Sequence, residues 1–320
     1  MIVRCLRYLA VGAVCVALPV QAEPGSPVDT GWLQTLAFAA HKTEFSGTFV
    51  YQHGSHVETS RIAHLLDAKG EHEHIESLDG PHREVYRDNG QVWCVLGEHQ
   101  SVRVEKSANR RSFPDLLPEQ LTSLRENYQI HEAERSRVAG FEAQAIIFKP
   151  RDGLRYTHKM WAHLDSGLLL KSIMLDERGA PVEQYAFTQL SVGKNLDRTW
   201  LASVNTPPEV SQPKPALTVL GNTGWRVDAI PAGFKKLTEI RRPLRDRKQP
   251  VIQQVYSDGL AGVSVFIEPE RRPDEVGGLT SHGAINIVSR SMDGFRVTVV
   301  GEVPARTVIQ IADSVRYAGQ

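Results

Sequence analysis

Cysteine is scarce in this chain of 320 residues, which has only three. Cys5 and Cys15 lie near the N-terminus, so removal of that segment as a leader would leave Cys94 alone, and one cysteine cannot form an intrachain disulfide. Cys94 lies in the β-type run QVWCVLG, where we expect a buried and inert thiol. The sequence therefore predicts a protein that is stabilised by burial of apolar side chains.

The motifs of the common enzyme classes are missing as well. The chain has no G-x-S-x-G elbow, no H-E-x-x-H, no phosphate-binding G-x-x-x-x-G-K and no dinucleotide fingerprint. These absences predict a protein that is not an enzyme and that has no cofactor and no metal site. Catalytic partners can lie far apart in sequence, so an exported hydrolase with an unfamiliar site is kept as an alternative.

Long apolar runs are absent after the first 22 residues. That N-terminal segment carries Arg4 and Arg7, then an apolar run over residues 9–18, and ends in Val20-Gln21-Ala22. A basic start, a short apolar run and a small residue at the end are the parts of a secretory signal peptide, and the run is short for a bilayer span. We predict export, with a signal peptide over residues 1–22 that is cleaved after Ala22.

The chain has no excess of charge of one sign, because 37 basic residues balance 37 acidic ones. This balance argues against nucleic acid as a partner. The strongest local excess is the stretch FKKLTEIRRPLRDRKQP, residues 234–250, where two prolines predict a strand or loop edge. The guanidinium groups of its arginines can bind the carboxylates of an acidic protein segment or the phosphates of a lipid with two hydrogen bonds each. The alternative is a charged surface that only keeps the protein soluble. The candidates for binding a partner or phosphate are Lys235, Lys236, Arg241, Arg242, Arg245 and Arg247.

An aromatic strand, EFSGTFVYQHG, opens the first large block at residues 44–54. Read at period two, Phe45, Gly47, Phe49 and Tyr51 fall on one face. This face either packs against protein or lines a pocket for an apolar ligand. The candidates for a lipid pocket are Phe45, Phe49 and Tyr51, with Gly47 easing the bend of the strand.

The remaining pattern predicts two blocks of antiparallel strands. A first helix capped by Asp29 precedes many short strands, and residues 112–127 form the best later helical region despite two prolines. The prolines in 203–222 indicate an extended linker, and a helix over about residues 305–315 closes the second block. Both blocks are of the α+β class with mostly antiparallel strands. The predicted boundaries are a signal peptide 1–22, a large domain 23–202, a linker 203–222 and a smaller α+β domain 223–320.

Histidine is concentrated in the first block, which holds eleven of the twelve. His72 and His74 in EHEHIE share one strand face and could hold a metal, but two imidazoles without a third ligand favour a solvated polar face instead. Because imidazoles titrate near pH 6.5, the cluster could make the block acid-sensitive. Scattered surface polarity is the favoured alternative.

Several segments together resemble one family, the periplasmic sigma-E regulatory proteins called RseB or MucB. The segments follow the order of the chain across both blocks and the resemblance covers nearly all of the mature chain. They are FSGTFVY, LDGPHREVYR, SRVAGFEAQAIIFKPRDGLRY, LDSGLLLKSIMLDERG, EQYAFTQL, SDGLAGVSVFIEP and VTVVGEVP.

The resemblance implies a fold, a partner and a signal. It implies a first domain like the lipoprotein carriers of the LolA and LppX type, a half-open curved β-barrel whose concave side is covered by helices. The implied partner is the periplasmic domain of a membrane anti-sigma factor of the RseA/MucA type, which the protein shields from regulated proteolysis. Lipopolysaccharide or lipoprotein acyl chains are the implied releasing signal. A periplasmic carrier of the LolA type is the alternative function, and the resemblance leaves a homo-oligomer open.

Overall fold

Two antiparallel sheets form the body of the molecule. The structure is a computed structural model that describes residues 29–97, 100–104, 112–119, 121–193, 196, 218–219, 222–242, 250–270 and 277–319. The predicted signal peptide and most of the predicted linker, residues 203–222, lie outside these residues. Within the described part of the chain, no helix is long and apolar enough to cross a membrane.

The first sheet has eleven strands, in the order β6-β5-β4-β3-β2-β1-β11-β10-β9-β8-β7. Strands that follow one another along the chain are neighbours in the sheet, except that β6 and β7 form its two edges and β1 pairs with β11 at its centre. The strands are β1 Phe45–His53, β2 His56–Asp67, β3 Gly70–Ser77, β4 Arg83–Asp88, β5 Gln91–Leu96, β6 Gln100–Val104, β7 Tyr128–Val138, β8 Phe141–Pro150, β9 Thr157–His163, β10 Leu169–Leu175 and β11 Pro181–Val192.

Short turns explain this order. Between β4 and β5, Asn89 and Gly90 have φ angles of 48° and 81°, the left-handed conformation that a two-residue hairpin turn requires. Where the chain returns to the centre of the sheet, Gly47 of β1 lies so close to β11 that a Cβ would collide with the carbonyl oxygen of Gln189. Gly47 is therefore required by close strand packing.

Helix α1, Thr30–Lys42, packs against one face of the first sheet. Asp29 caps it as predicted, because its Oδ1 accepts hydrogen bonds from the backbone N–H of Gly31 at 2.7 Å and of Trp32 at 3.0 Å. Leu33, Leu36 and Ala37 of the helix are buried in the core of this sheet. We call the face that packs against α1 and residues 113–117 the covered face.

The prediction of a helix over residues 112–127 is wrong for most of its length. Among the described residues of this range, only α2, Thr122–Asn127, is helical, and Phe113 and Leu117 lie in an irregular segment that inserts its side chains into the core. Pro114 and Pro118 explain the difference, because proline in a helix interior removes a hydrogen bond and clashes with the preceding turn.

The second sheet has seven strands, in the order β12-β14-β15-β16-β19-β18-β17, and β13 pairs with β20 beside it. Helix α3, Ala305–Asp313, buries Thr307, Val308, Ile311 and Ala312 in the core of this unit. The strands are β12 Thr218–Val219, β13 Trp225–Val227, β14 Lys235–Arg242, β15 Val251–Ser257, β16 Gly262–Pro269, β17 Leu279–His282, β18 Ile285–Met292, β19 Phe295–Gly301 and β20 Val315–Tyr317.

The predicted fold class is confirmed at the level of mostly antiparallel strands with few helices. In the described residues β6 and β7 are separate edges of the first sheet, so the strand order alone does not describe a closed barrel. Cys94 on β5 is in no disulfide among the described residues, and it is half-buried where a buried thiol was expected.

Candidate functional site

The covered face of the first sheet holds two of the three predicted pocket residues within packed protein. Phe45 has no exposed surface and Phe49 is 7% exposed. The Phe49 ring lies 5.3 Å from the ring of Phe113 and 6.1 Å from that of Phe187. Their position on the covered face agrees with the period-two pattern, while contact with a lipid stays a prediction.

Tyr51, the third predicted pocket residue, lies farther along the same strand and is half-buried. Its hydroxyl donates a 3.0 Å hydrogen bond to Oε2 of Glu183 on β11, and its ring lies 4.7 Å from that of Tyr185. A contact with lipid at Tyr51 also stays a prediction.

One small cavity lies between the sheet and its cover, which consists of α1 and residues 113–117. The cavity is lined by Leu36, Leu117, Met160 and Leu169 among others and offers about 10 Å³, roughly what one water molecule needs. An acyl chain is far larger than one water, so it can occupy this cavity only if α1 or residues 113–117 move away.

A cluster of histidines and carboxylates fastens the cover. His41 Nδ1 on α1 lies 2.8 Å from Glu71 Oε1 on β3, and its Nε2 lies 3.4 Å from Asp115 Oδ2. His64 on β2 bridges Glu71, at 3.1 Å, and the backbone carbonyl of Thr43, at 2.8 Å. We call His41, His64, Glu71 and Asp115 the latch. Hydrogen bonds to Asp115 and Glu71 raise the pKa of His41 to about 10, so His41 is charged at neutral pH.

The acid-sensitivity hypothesis therefore does not apply to every histidine. His41 stays charged across pH 5 to 7.5, and burial lowers the pKa of His158 to about 4, so His158 stays neutral there. Neither imidazole changes its charge between pH 5 and 7.5.

His72 and His74 are not on the solvated face that the sequence favoured. They are 7% and 3% exposed, on the face of β3 opposite the covered face. His72 lies between Asp67 and Asp88, and the ring of His74 stacks on Tyr86 with the centroids 4.2 Å apart. Side chains from β4 cover His72 and His74 on this face, and the sequence of β3 alone does not indicate that burial.

In the described part of the chain, the side chains close enough together to share a metal ion are Glu76, His82 and Glu84.

The described first part of the basic stretch forms strand β14, Lys235–Arg242, in agreement with the predicted strand, while residues 243–249 lie outside the described residues. Lys235, Lys236 and Arg241 are exposed, and Lys236 Nζ lies 2.6 Å from Oε2 of the buried Glu239. The side chain of Arg242 and all of Arg245 and Arg247 lie outside the described residues. Among the described residues, the two-residue strand β12 pairs with Ile240 and Arg241 of β14, so β14 is the second strand from one end of the described sheet.

A buried ion pair joins the two sheets. Nε of Arg155, which follows β8, lies 2.5 Å from Oδ2 of Asp258 in the turn after β15, and both side chains are at most 1% exposed. The same carboxylate oxygen accepts a 3.0 Å hydrogen bond from the hydroxyl of Tyr128, and Arg155 also bonds Asp152 and the carbonyl of Ala232.

Further contacts connect the two sheets near Arg155 and Asp258. Asn286 Nδ2 donates to the hydroxyl of Tyr156 at 3.0 Å, and Thr307 Oγ1 donates to the carbonyl of Leu154 at 2.9 Å. The rings of His53 and His282 lie 4.4 Å apart. We call this set, with Arg155 and Asp258, the joint. No local pattern in the sequence reveals the joint, because the residues of each of these pairs are more than 100 positions apart.

Comparison with known proteins identifies the family. Residues 29–205 match the family model of the MucB/RseB N-terminal domain, and residues 220–316 match that of the MucB/RseB C-terminal domain. The chain is 33% identical to "Sigma factor AlgU regulatory protein MucB" of Pseudomonas aeruginosa over 89% of this chain and 90% of that protein. It is 28% identical to "Sigma-E factor regulatory protein RseB" of Salmonella typhimurium over 97% and 98%.

A solved structure agrees over both sheets. A crystal structure of MucB in complex with MucA(peri) superposes with a TM-score of 0.74 at 30% identity, covering 91% of this chain and 99% of that one. Because the two family models and the superposed structure together span both sheets, the chain belongs to the MucB/RseB family.

Proposed function

We propose that this chain regulates a sigma factor by binding the periplasmic domain of a membrane anti-sigma factor and protecting it from regulated proteolysis. The observation that carries the proposal is the similarity, at a TM-score of 0.74, to MucB crystallised with MucA(peri). The similarity includes both sheets, so a partner that contacts either sheet of MucB would meet an equivalent surface here.

The proposed place of action is the periplasm, reached by export on the predicted signal peptide. The proposed role is binding without catalysis, which is supported by the similarity to relatives that are named as regulatory proteins. We also infer that the first sheet forms a half-open barrel of the LolA type, with α1 and residues 113–117 as its cover.

The experiment is a binding titration between the mature chain, residues 23–320, and the purified periplasmic segment of the anti-sigma factor that accompanies it. We expect a stable complex and slower cleavage of the anti-sigma segment by its regulatory protease. A chain that never binds the segment would contradict the proposal. A chain that instead transfers lipoprotein to an acceptor would contradict it and support the LolA-type carrier.

A lipid signal would act by opening the cover. The cavity under α1 admits about one water molecule, whereas each buried CH₂ of an acyl chain contributes about 0.8 kcal/mol. A lipid that binds only the opened form shifts the equilibrium toward that form. Phe45, Phe49 and Tyr51 are the proposed lipid contacts after opening.

The latch gives a sharp test of this opening. His41→Ala removes both contacts of α1 with Glu71 and Asp115, so less lipopolysaccharide should suffice to release the anti-sigma segment. His56→Ala is the matched control, because His56 is an exposed histidine paired with a single carboxylate, Glu58, on β2. Equal lipid requirements for the two variants would contradict release through the cover.

The basic strand is a proposed second contact for the partner or for lipid phosphate. Lys235 and Arg241 are exposed on β14, where their charges are available to carboxylates or phosphates. Reversal of both charges, Lys235→Glu with Arg241→Glu, should weaken binding at low salt and have less effect at high salt, where exposed charges are screened. Unaltered binding of both the anti-sigma segment and lipopolysaccharide would assign this strand to solubility alone.

A further inference from the structure

Two short sequences of the same type, His-x-Glu, face each other on neighbouring strands of the first sheet. His74-Ile75-Glu76 lies on β3, and His82-Arg83-Glu84 leads into β4. The strand register places Glu76 opposite Glu84 and His74 opposite Tyr86. Since alternate residues of a strand share a face, His74, Glu76 and Glu84 lie on the side opposite the covered face, and His82 contacts Glu84 there.

The donor atoms of this group are close together. His82 Nε2 lies 2.9 Å from Glu84 Oε1, and one ligand atom each from Glu76, His82 and Glu84 lie within 4.8 Å of one another. Tetrahedral zinc with bonds of about 2.0–2.1 Å holds its ligand atoms roughly 3.4 Å apart. Small side-chain rotations would therefore bring the three donors to the required separation.

The surroundings hold the central carboxylate in place. Oε2 of Glu84 accepts from the hydroxyl of Tyr86 and lies 3.3 Å from Nε2 of His74, which is 3% exposed. Metal-binding carboxylates are commonly oriented by such outer hydrogen bonds. His74 and Tyr86 are thus positioning residues, while Glu76, His82 and Glu84 supply the donors.

The charges also favour a cation here. Two glutamates directly opposite each other on adjacent strands repel, and Arg61, opposite Glu76 on β2, supplies one positive charge against these two negative ones. One imidazole with two carboxylates suits zinc better than calcium or magnesium, which prefer oxygen ligands only.

We propose that Glu76, His82 and Glu84 form a binding site for a divalent transition-metal ion, with zinc as the best fit and water completing the coordination. The ion would join β3 to β4 across the connection 78–82 and so strengthen the β4–β6 side of the sheet. The pair His72 and His74 along β3 does not reveal this site, because His82 and Glu84 come from β4 and the connection before it.

The test is a zinc titration of the tag-free mature protein in competition with a chromogenic zinc indicator. We expect one zinc ion per chain and a thermal unfolding midpoint that rises with zinc, with no such rise from calcium at equal concentration. His82→Ala and Glu84→Gln should each weaken zinc binding by at least about tenfold. His82 is 46% exposed, so its removal leaves the core intact.

The matched control is His56→Ala, which disrupts another His-x-Glu pair, His56 with Glu58 at 2.8 Å. The control should bind zinc like the unmodified chain. No zinc binding, zinc binding that is unchanged in His82→Ala and Glu84→Gln, or equal weakening in His56→Ala would overturn the proposal.

Discussion

At the scale of single residues, the strongest feature is the buried pair of Arg155 and Asp258. Removal of one partner of a buried ion pair leaves the other charge without compensation, which typically costs about 3–5 kcal/mol. Asp152 also bonds Arg155, so we expect Asp258→Asn to lower the free energy of unfolding by about 3 kcal/mol, measured by urea denaturation. Asp228→Asn is the control: it removes a carboxylate from an exposed ion pair with Arg226, where the expected loss is below about 1 kcal/mol. Equal losses in the two variants would contradict the assignment of the joint.

Glu183 gives a prediction about pH. Burial, followed by the nearby charge of Glu302, raises the pKa of Glu183 to about 7 from its ordinary value of 4.5. A carboxyl whose pKa is higher in the folded state destabilises that state as it ionises, so this residue lowers the free energy of unfolding as pH rises from about 4.5 to 7. Glu183→Gln should remove this fall and raise stability at pH 7.5 by roughly 1–3 kcal/mol. Urea denaturation at pH 5 and pH 7.5 measures it, and the same pH slope in both proteins would contradict it.

Single residues also show where sequence reasoning succeeds. Phe45 and Phe49 were assignable to one face because strand alternation is a local property. The contact of Phe49 with Phe113, and the pairing of Arg155 with Asp258, depend on residues 64 and 103 positions away. No local pattern encodes such a distance.

At the scale of elements, the charge of His41 adds an ion-pair contact to the apolar packing that holds α1 on the sheet. A histidine with a raised folded pKa contributes stability that is fully present below its unfolded pKa near 6.5 and is lost as pH rises through about 10. His41→Gln should therefore lower stability by about 1 kcal/mol at pH 6, since part of its side chain is screened by water. The difference should shrink toward pH 10 in thermal unfolding, and a difference that grows with pH would contradict the latch.

Helix α3 offers a comparison within one element. Ile311 is fully buried and Ile309, two positions earlier, is 38% exposed. Ile311→Ala should cost about 2–5 kcal/mol through lost burial and a cavity, while Ile309→Ala should cost less than about 1 kcal/mol. Urea denaturation of both variants measures this, and similar losses would mean that α3 does not pack through the Ile311 face.

The elements differ in how well the sequence predicts them. The long strands and α3 are predictable because alternating or helical apolar spacing is continuous over the whole element. Residues 112–127 are not, because their apolar spacing favours a helix while Pro114 and Pro118 oppose it, and burial of Phe113 and Leu117 decides the outcome. Strands β12, β13 and β20 are two or three residues long, too short for any periodicity.

At the scale of the whole molecule, the joint makes the stability of each sheet depend on the folding of the other. Its buried polar contacts can form only when both sheets are folded, so we expect the full chain to unfold in one calorimetric transition. Arg155→Ala should separate this into two transitions, because Asp258 is then buried without its partner. Glu177→Gln, which removes the exposed pair with Arg306 across the same joint, should keep a single transition. Two transitions in the unmodified chain would contradict a cooperative joint.

The pairing of β1 with β11 has a consequence for the order of events during folding. These strands form the centre of the eleven-stranded sheet, yet Phe45 pairs with Val192, almost 150 residues later. Strand pairs on either side, such as β4 with β5, close over two-residue turns and can form early. The central pair must wait until residue 192 has emerged, and contacts of such long range slow folding. Two separate half-sheets, each with an exposed inner edge strand, are therefore the expected transient species, and these edges are the surfaces that a newly exported chain must protect from aggregation.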